Sequence, residues 1–203
     1  MASKRKDQTL KRQFYVGIDP GTRWVGVAVL RHDKGSFRAE MAVIDRTMKS
    51  FVQLVHFITP TNAMVKTDEV HVITEGFRHR PQGHQAWDAG ETLRLIGAIR
   101  FATEEREAHW TEVEPGDPDK ELDHLGLGRY IQAWKEHCPR PNDMKWHHGR
   151  AAWRAIGRYL LINNQLLLQQ IRGSKMPALT FDGKGVTDGF DLVASVMTWR
   201  LGR

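Results

Sequence analysis

The sequence predicts an α/β fold: a mixed five-stranded sheet, three antiparallel strands and then two parallel ones, flanked by helices. Three observations predict it. A tight turn signal, Asp19-Pro20-Gly21, separates two apolar, β-branched runs. A third run follows the second almost at once. Beyond it, short apolar runs alternate with stretches of helical periodicity, the pattern that makes successive strands parallel.

The elements follow in order. Phe14 to Ile18, Trp24 to Leu30 and Ser36 to Val43 read as three antiparallel strands. Met48 to Ile58 carries Phe51, Leu54, Val55 and Ile58 at helical spacing, and Pro60 ends it. Glu69 to Thr74 is the fourth strand. Gly83 to Ala108 reads as a long helix with Leu93, Ile96, Gly97 and Ile99 to Phe101 near its centre. Trp110 to Val113 is the fifth strand, closed by Pro115-Gly116-Asp117-Pro118. Residues 117–146, with their Gly and Pro pairs, read as an insertion with one short helix, Gly128 to Glu136. His147 to Arg172 resumes as helix, with Gly173 as its stop. A short strand, Ala178 to Phe181, and the turn Asp182-Gly183-Lys184-Gly185 lead into a final helix.

Composition narrows the class. With 203 residues, one domain over 14–203 is expected, preceded by a basic tail over 1–13. That tail holds Lys4, Arg5, Lys6, Lys11 and Arg12 against Asp7, so most of the net charge of +6 sits there. It has almost nothing to bury and is expected to be disordered. It reads equally as a phosphate-binding arm and as a solubilising one. No apolar run is long enough to span a membrane, and no apolar signal core opens the chain. The single cysteine, Cys138, excludes an internal disulfide and a cysteine zinc cluster, which fits a cytoplasmic setting.

Acids stand where strands end. Asp19 closes the first strand, and Glu75 closes the β-branched run Val70-His71-Val72-Ile73-Thr74. Asp188 and Asp191, three apart, share a face in the first turn of the final helix. A carboxylate on a rigid strand holds a divalent ion without the freedom of a loop. Four such groups suffice for two ions about 4 Å apart, the spacing used in phosphoryl displacement. Each acid also has an ordinary reading. Asp19 caps a turn, Glu75 is a solvated strand end, and Asp188 and Asp191 answer a helix dipole.

Taken together, Gly17-Ile18-Asp19-Pro20-Gly21-Thr22-Arg23 with Gly26, then Glu75, then the pair Asp188 and Asp191 resemble the RuvC-type Holliday-junction resolvases of the ribonuclease H-like superfamily. The resemblance runs from residue 14 to 200. Two departures stand out. Gly76-Phe77-Arg78-His79-Arg80 follows the glutamate where the family has a Gln-Val-Phe-like run. Asp188-Gly189-Phe190-Asp191-Leu192 replaces an alanine-rich motif, which suggests a divergent, phage-encoded member. The resemblance implies a ribonuclease H-like sheet and a Mg²⁺-dependent endonuclease, with Mn²⁺ able to substitute. It implies that Asp19 bridges two ions, with Glu75, Asp188 and Asp191 as the other ligands. It implies paired nicks in branched DNA, Holliday junctions above all, leaving 5′-phosphate and 3′-hydroxyl ends.

Within the folded domain, DNA contacts are expected at two places. Phe77 matches the aromatic that meets bases at the branch point, with Arg78 and Arg80 beside it; its bland reading is core packing. Arg150, Arg154 and Arg158, spaced by four, form one basic helical stripe, read either as a phosphate-contacting face or as a solvated one. His147 and His148 do not share a helix face and read as surface or DNA-facing histidines. A homodimer suits a two-fold symmetric junction, and Ile96-Gly97-Ala98-Ile99 of the long helix is its candidate interface. Rival readings are a ribosomal-RNA-processing relative, which shares the first motif, and a non-catalytic DNA-binding scaffold. A sugar-kinase or actin-type ATPase uses a similar hairpin but needs two such domains.

Overall fold

The computed structural model describes residues 12–21, 24–33, 36–45, 68–77, 85–105, 107–128 and 145–173. The strands are β1 (Arg12–Pro20), β2 (Trp24–Asp33), β3 (Ser36–Asp45), β4 (Asp68–Glu75) and β5 (His109–Val113). The helices are α1 (Gln85–Glu104), α2 (Pro118–His124), α3 (Lys145–Asn163) and α4 (Gln165–Gly173). The strands form one five-stranded sheet in the order β3-β2-β1-β4-β5. β1 and β3 flank β2 antiparallel, while β4 pairs parallel with both β1 and β5. This is the ribonuclease H-like arrangement. The tail before Arg12, the expected helix over 48–58, Gly128 to Glu136, and everything after Gly173 lie outside the described residues, apart from Gly128 itself.

Both faces of the central strands are buried, which explains why they read as continuous apolar runs. On one face Phe14, Val16, Ile18, Val25, Val27, Val70 and Val72 meet Leu95 and Ile99 of α1. On the other, Tyr15, Ala28, Leu30, Met41 and Ile73 meet Ala152, Trp153 and Ile156 of α3 and Leu167, Leu168 and Ile171 of α4. The result is a helix–sheet–helix sandwich.

α3 lies against the sheet at backbone range. A Cβ on Gly17 would fall on the Ala152 carbonyl, and one on Gly26 on the carbonyl of His148. Gly149, Ala151, Ala152 and Ala155 supply the matching small surface on the helix. Gly26 is the register partner of Asp19, so this packing places the first turn of α3 over the end of β1.

The helices end differently from the sequence reading. The long helix stops at Glu104, because Glu107 adopts a left-handed conformation (φ 55). Its N–H reaches the Glu104 carbonyl, and the Ala108 N–H reaches that of Thr103, closing a Schellman cap. Gly126 (φ 70) closes α2 in the same way through Asp123 and Leu122. The single helical region expected over 147–172 is two helices. Asn164 breaks it by accepting the Leu167 N–H on Oδ1, an N-cap for α4.

The expected dimer face also changes. Ile96 and Ile99 are buried, with Ile99 packed against the strands of its own sheet. What α1 exposes is Gly97 and Ala98, flanked by Leu93 and Phe101, which are 53% and 66% exposed. Among the described residues, no helix is long and apolar enough to cross a membrane.

The glycines divide cleanly by environment. Gly26→Ala is expected to destabilise by about 3 kcal/mol or more, because backbone must move. Gly97→Ala, where a Cβ meets nothing within 4 Å, is expected to stabilise by up to about 1 kcal/mol through helix propensity. Urea unfolding of the two variants checks the contrast.

Candidate active site

β1 and β4 are adjacent and parallel, with Gly17 opposite Ile73 and Ile18 opposite Thr74. Their C-terminal ends therefore coincide, and Asp19 and Glu75 leave the sheet at the same edge. The period of two puts both on the face covered by α3, in line with Tyr15, Gly17, His71 and Ile73. β1 extends to Pro20, so Asp19 belongs to the strand itself rather than to the turn after it.

Each carboxylate is held by α3. His148 Nδ1 lies 2.6 Å from Asp19 Oδ2. Glu75, 7% exposed, accepts the Gly116 N–H on Oε1 at 3.1 Å and Arg154 Nη1 on the same oxygen at 3.4 Å. Arg154 is fully buried. Its Nη2 donates to the Glu114 carbonyl, and its Nε lies 3.0 Å from Glu121 Oε2. Arg158 Nε approaches that same Glu121 oxygen at 3.5 Å.

Burial, and next the nearby charge of Asp19, push the Glu75 carboxyl up to about 7. Arg154 and the Gly116 N–H pull it down, and Glu121 adds to the rise. Glu75 thus ionises against its own burial and against the charge of Asp19. A divalent cation between the two residues would answer both the repulsion and the lost hydration, and two carboxylates are oxygen donors that suit Mg²⁺ or Mn²⁺, while His148 Nδ1 is taken up by Asp19. Among the described residues no group of three or more His, Cys, Asp or Glu forms a metal cluster. Asp188 and Asp191 lie outside the described residues, as do Arg78 and Arg80.

The basic stripe does not form. Arg150 and Arg158 are half-buried, and Arg154 is wholly inside, between Glu75 and Glu121. Spacing by four placed the three on one side of α3 correctly. That side is covered by α2 and the segment Glu114 to Gly116, so Arg154 is no phosphate contact. Phe77 is half-buried, two residues beyond Glu75.

The role of His148 was missed by sequence reasoning, which read it as a surface or DNA-facing histidine and gave it no link to Asp19. The signal was available in its neighbours. Gly149, Ala152 and Ala155, three apart, mark a helix able to approach Gly17 and Gly26, and the residue leading that face must meet Asp19.

The opposite end of the same face is polar too. Register pairs Tyr15 with His71 and His71 with His109, and both ring pairs stack at 5.0 Å, close to the strand spacing. His71 Nδ1 faces the Tyr159 hydroxyl at 2.9 Å, and its Nε2 lies 3.3 Å from Glu69. The tautomer that satisfies both keeps the proton on Nε2. Burial lowers the His71 pKa, with Glu69 opposing.

No protein-family model matches the chain, and no curated protein does. Among solved structures it is similar to Thermus thermophilus RuvC in complex with a Holliday junction substrate, at 16% identity and a TM-score of 0.47, over 74% of this chain and 96% of that one. It is similar to the yeast mitochondrial Holliday junction resolvase Ydc2, at 11% identity and a TM-score of 0.43, over 78% and 81%. It is also similar to the human cytomegalovirus terminase nuclease domain, at 12% identity and a TM-score of 0.44, over 82% and 90%. At these identities and TM-scores nothing about residues or reaction passes from those proteins to this one, and the ribonuclease H-like fold rests on the strand order β3-β2-β1-β4-β5.

Proposed function

We propose that this chain is a metal-dependent, structure-selective endonuclease that nicks branched DNA, four-way junctions above all, to leave 5′-phosphate and 3′-hydroxyl ends. The observation that carries the reading is the convergence of Asp19 and Glu75 at neighbouring ends of β1 and β4, with Glu75 held up to about 7. Repulsive, desolvated carboxylates on rigid strands cost stability unless a ligand compensates them.

Asp19 and Glu75 would hold the ions, with Asp188 and Asp191 completing the donors. The chemistry divalent ions supply at such a site is activation of water and compensation of charge on the leaving 3′-oxygen. The chain's own residues set the geometry. His148 orients Asp19, and Gly116 with Arg154 orients Glu75. No side chain need act as nucleophile. Phe77 would stack on a base at the opened branch point, and Arg78, Arg80, Arg150 and Arg158 are the candidates for phosphate contacts. Two copies related by a two-fold axis would place two sites on opposed strands of a junction.

The decisive experiment is cleavage of a synthetic four-way junction in Mg²⁺, then in chelator, against a linear duplex of the same sequence. Junction-specific nicking lost in chelator is expected; equal cutting of both substrates, or none, would sink the reading. Asp19→Asn and Glu75→Gln are expected to lower turnover on the order of 100-fold or more while junction affinity holds or rises. Near-normal turnover by either variant counts against the site.

Stability should report the same site without DNA. Glu75 binds its proton more tightly in the folded state (about 7) than its ordinary 4.5. The stability it contributes is therefore full below pH 4.5 and is lost as pH rises through 7, by about 3 kcal/mol. In chelator, Glu75→Gln is expected to match the parent near pH 4 and exceed it at pH 8. Added Mg²⁺ should close that gap by stabilising the parent alone. Denaturant unfolding at the two pH values measures it.

Phe77→Ala is expected to depress cleavage of intact junctions far more than cleavage of a substrate already unpaired at the cut. Stacking worth about 1–3 kcal/mol offsets unpairing, which the opened substrate does not require. Equal losses on both substrates, with a large fall in melting temperature, would identify Phe77 as a packing residue.

A further inference from the structure

Two donors converge on one oxygen of Glu75. The Gly116 N–H and Arg154 Nη1 both reach Oε1, at 3.1 and 3.4 Å, and among the described residues no donor reaches Oε2. Arg154 is itself immobilised. It is fully buried, with Nη2 on the Glu114 carbonyl and Nε beside Glu121. A buried guanidinium is tolerated only when its charge is countered; here Nη1 and Nη2 donate to Glu75 and the Glu114 carbonyl, and Nε is ion-paired with Glu121 at 3.0 Å without a hydrogen bond. Glu75 is thus held at one oxygen by a backbone N–H and by a buried, ion-paired guanidinium.

We propose that Arg154 is a positioning residue of the site: anchored by Glu121 and the Glu114 carbonyl, it fixes Glu75 Oε1 and leaves Oε2 to a divalent cation. The inference rests on the nuclease reading only in taking Glu75 as a ligand. It gives the buried arginine a role that solvent-facing phosphate contact cannot. It also explains why α2 matters to a site it does not touch, since Glu121 holds the far edge of the guanidinium. Lysine keeps the charge but offers a point ammonium without the fork, so it cannot serve Glu75, Glu121 and the carbonyl together.

The test uses Mn²⁺ alone, titrated into DNA-free protein and followed by loss of the free-ion paramagnetic resonance signal, well below the melting transition. Arg154→Lys is expected to raise the Mn²⁺ concentration for half-saturation on the order of 10–100-fold. On a four-way junction it should lower kcat and leave KM unchanged. The double variant Arg154→Met/Glu121→Gln removes the cation together with its counter-charge, protects folding, and should show the same weakened Mn²⁺ binding. Parent-like Mn²⁺ binding by folded variants, even with a lowered melting temperature, overturns the proposal. Asp19→Asn separates the two levels. If it weakens Mn²⁺ binding and the Arg154 variants do not, this inference alone fails. If it leaves Mn²⁺ binding unchanged, the site reading fails and this inference with it.

Discussion

The rest of the structure depends on how closely α3 can approach β1 and β2. Gly17 and Gly26 carry no Cβ where the carbonyls of Ala152 and His148 arrive, and Gly149 and Ala152 keep the helix side equally thin. Helix and strand backbones therefore touch where side chains normally intervene. From that contact the positions of the site residues follow. His148, in the first turn of the helix, meets Asp19, and six residues on, about 9 Å along the axis, Arg154 meets Glu75 on the neighbouring strand.

The same helix is pinned at its other end. Tyr159 bonds His71, and Asn164, which caps α4, reaches the Tyr15 hydroxyl at 3.4 Å. The Tyr15, His71 and His109 rings stack because equivalent positions on neighbouring strands are about 5 Å apart. Polar contacts thus mark both ends of an apolar seam. Sliding α3 along the sheet would break both sets at once, and that fixes its register more sharply than apolar packing does, since apolar packing is not directional.

Electrostatically, the edge that holds Asp19 and Glu75 is poised, not satisfied. Arg154 lowers the cost of ionising Glu75 but does not cancel it, because burial and then the charge of Asp19 outweigh it, with Glu121 adding a little more. The carboxylate remains easier to protonate than an exposed one. Such a site gains from a cation more than a fully paired one would.

The order of strands was legible in the sequence because each buried strand is a β-branched run bounded by a turn or a helix. Asp19 and Glu75 stood out as acids ending such runs, and the period of two with parallel pairing was enough to bring them together. Periodicity also grouped Arg150, Arg154 and Arg158 on one side of a helix. What covers a side of a helix is not local information. Only the tertiary structure decided that α2 and Glu121 close over Arg154, that His148 meets Asp19, and that Ile96 and Ile99 serve their own core. The break at Asn164 was equally hidden, since an asparagine caps a new helix only where the fold turns the chain away. Sequence determined which residues share a face; packing between distant segments decided what each face touches, because that contact depends on neighbours tens of residues away.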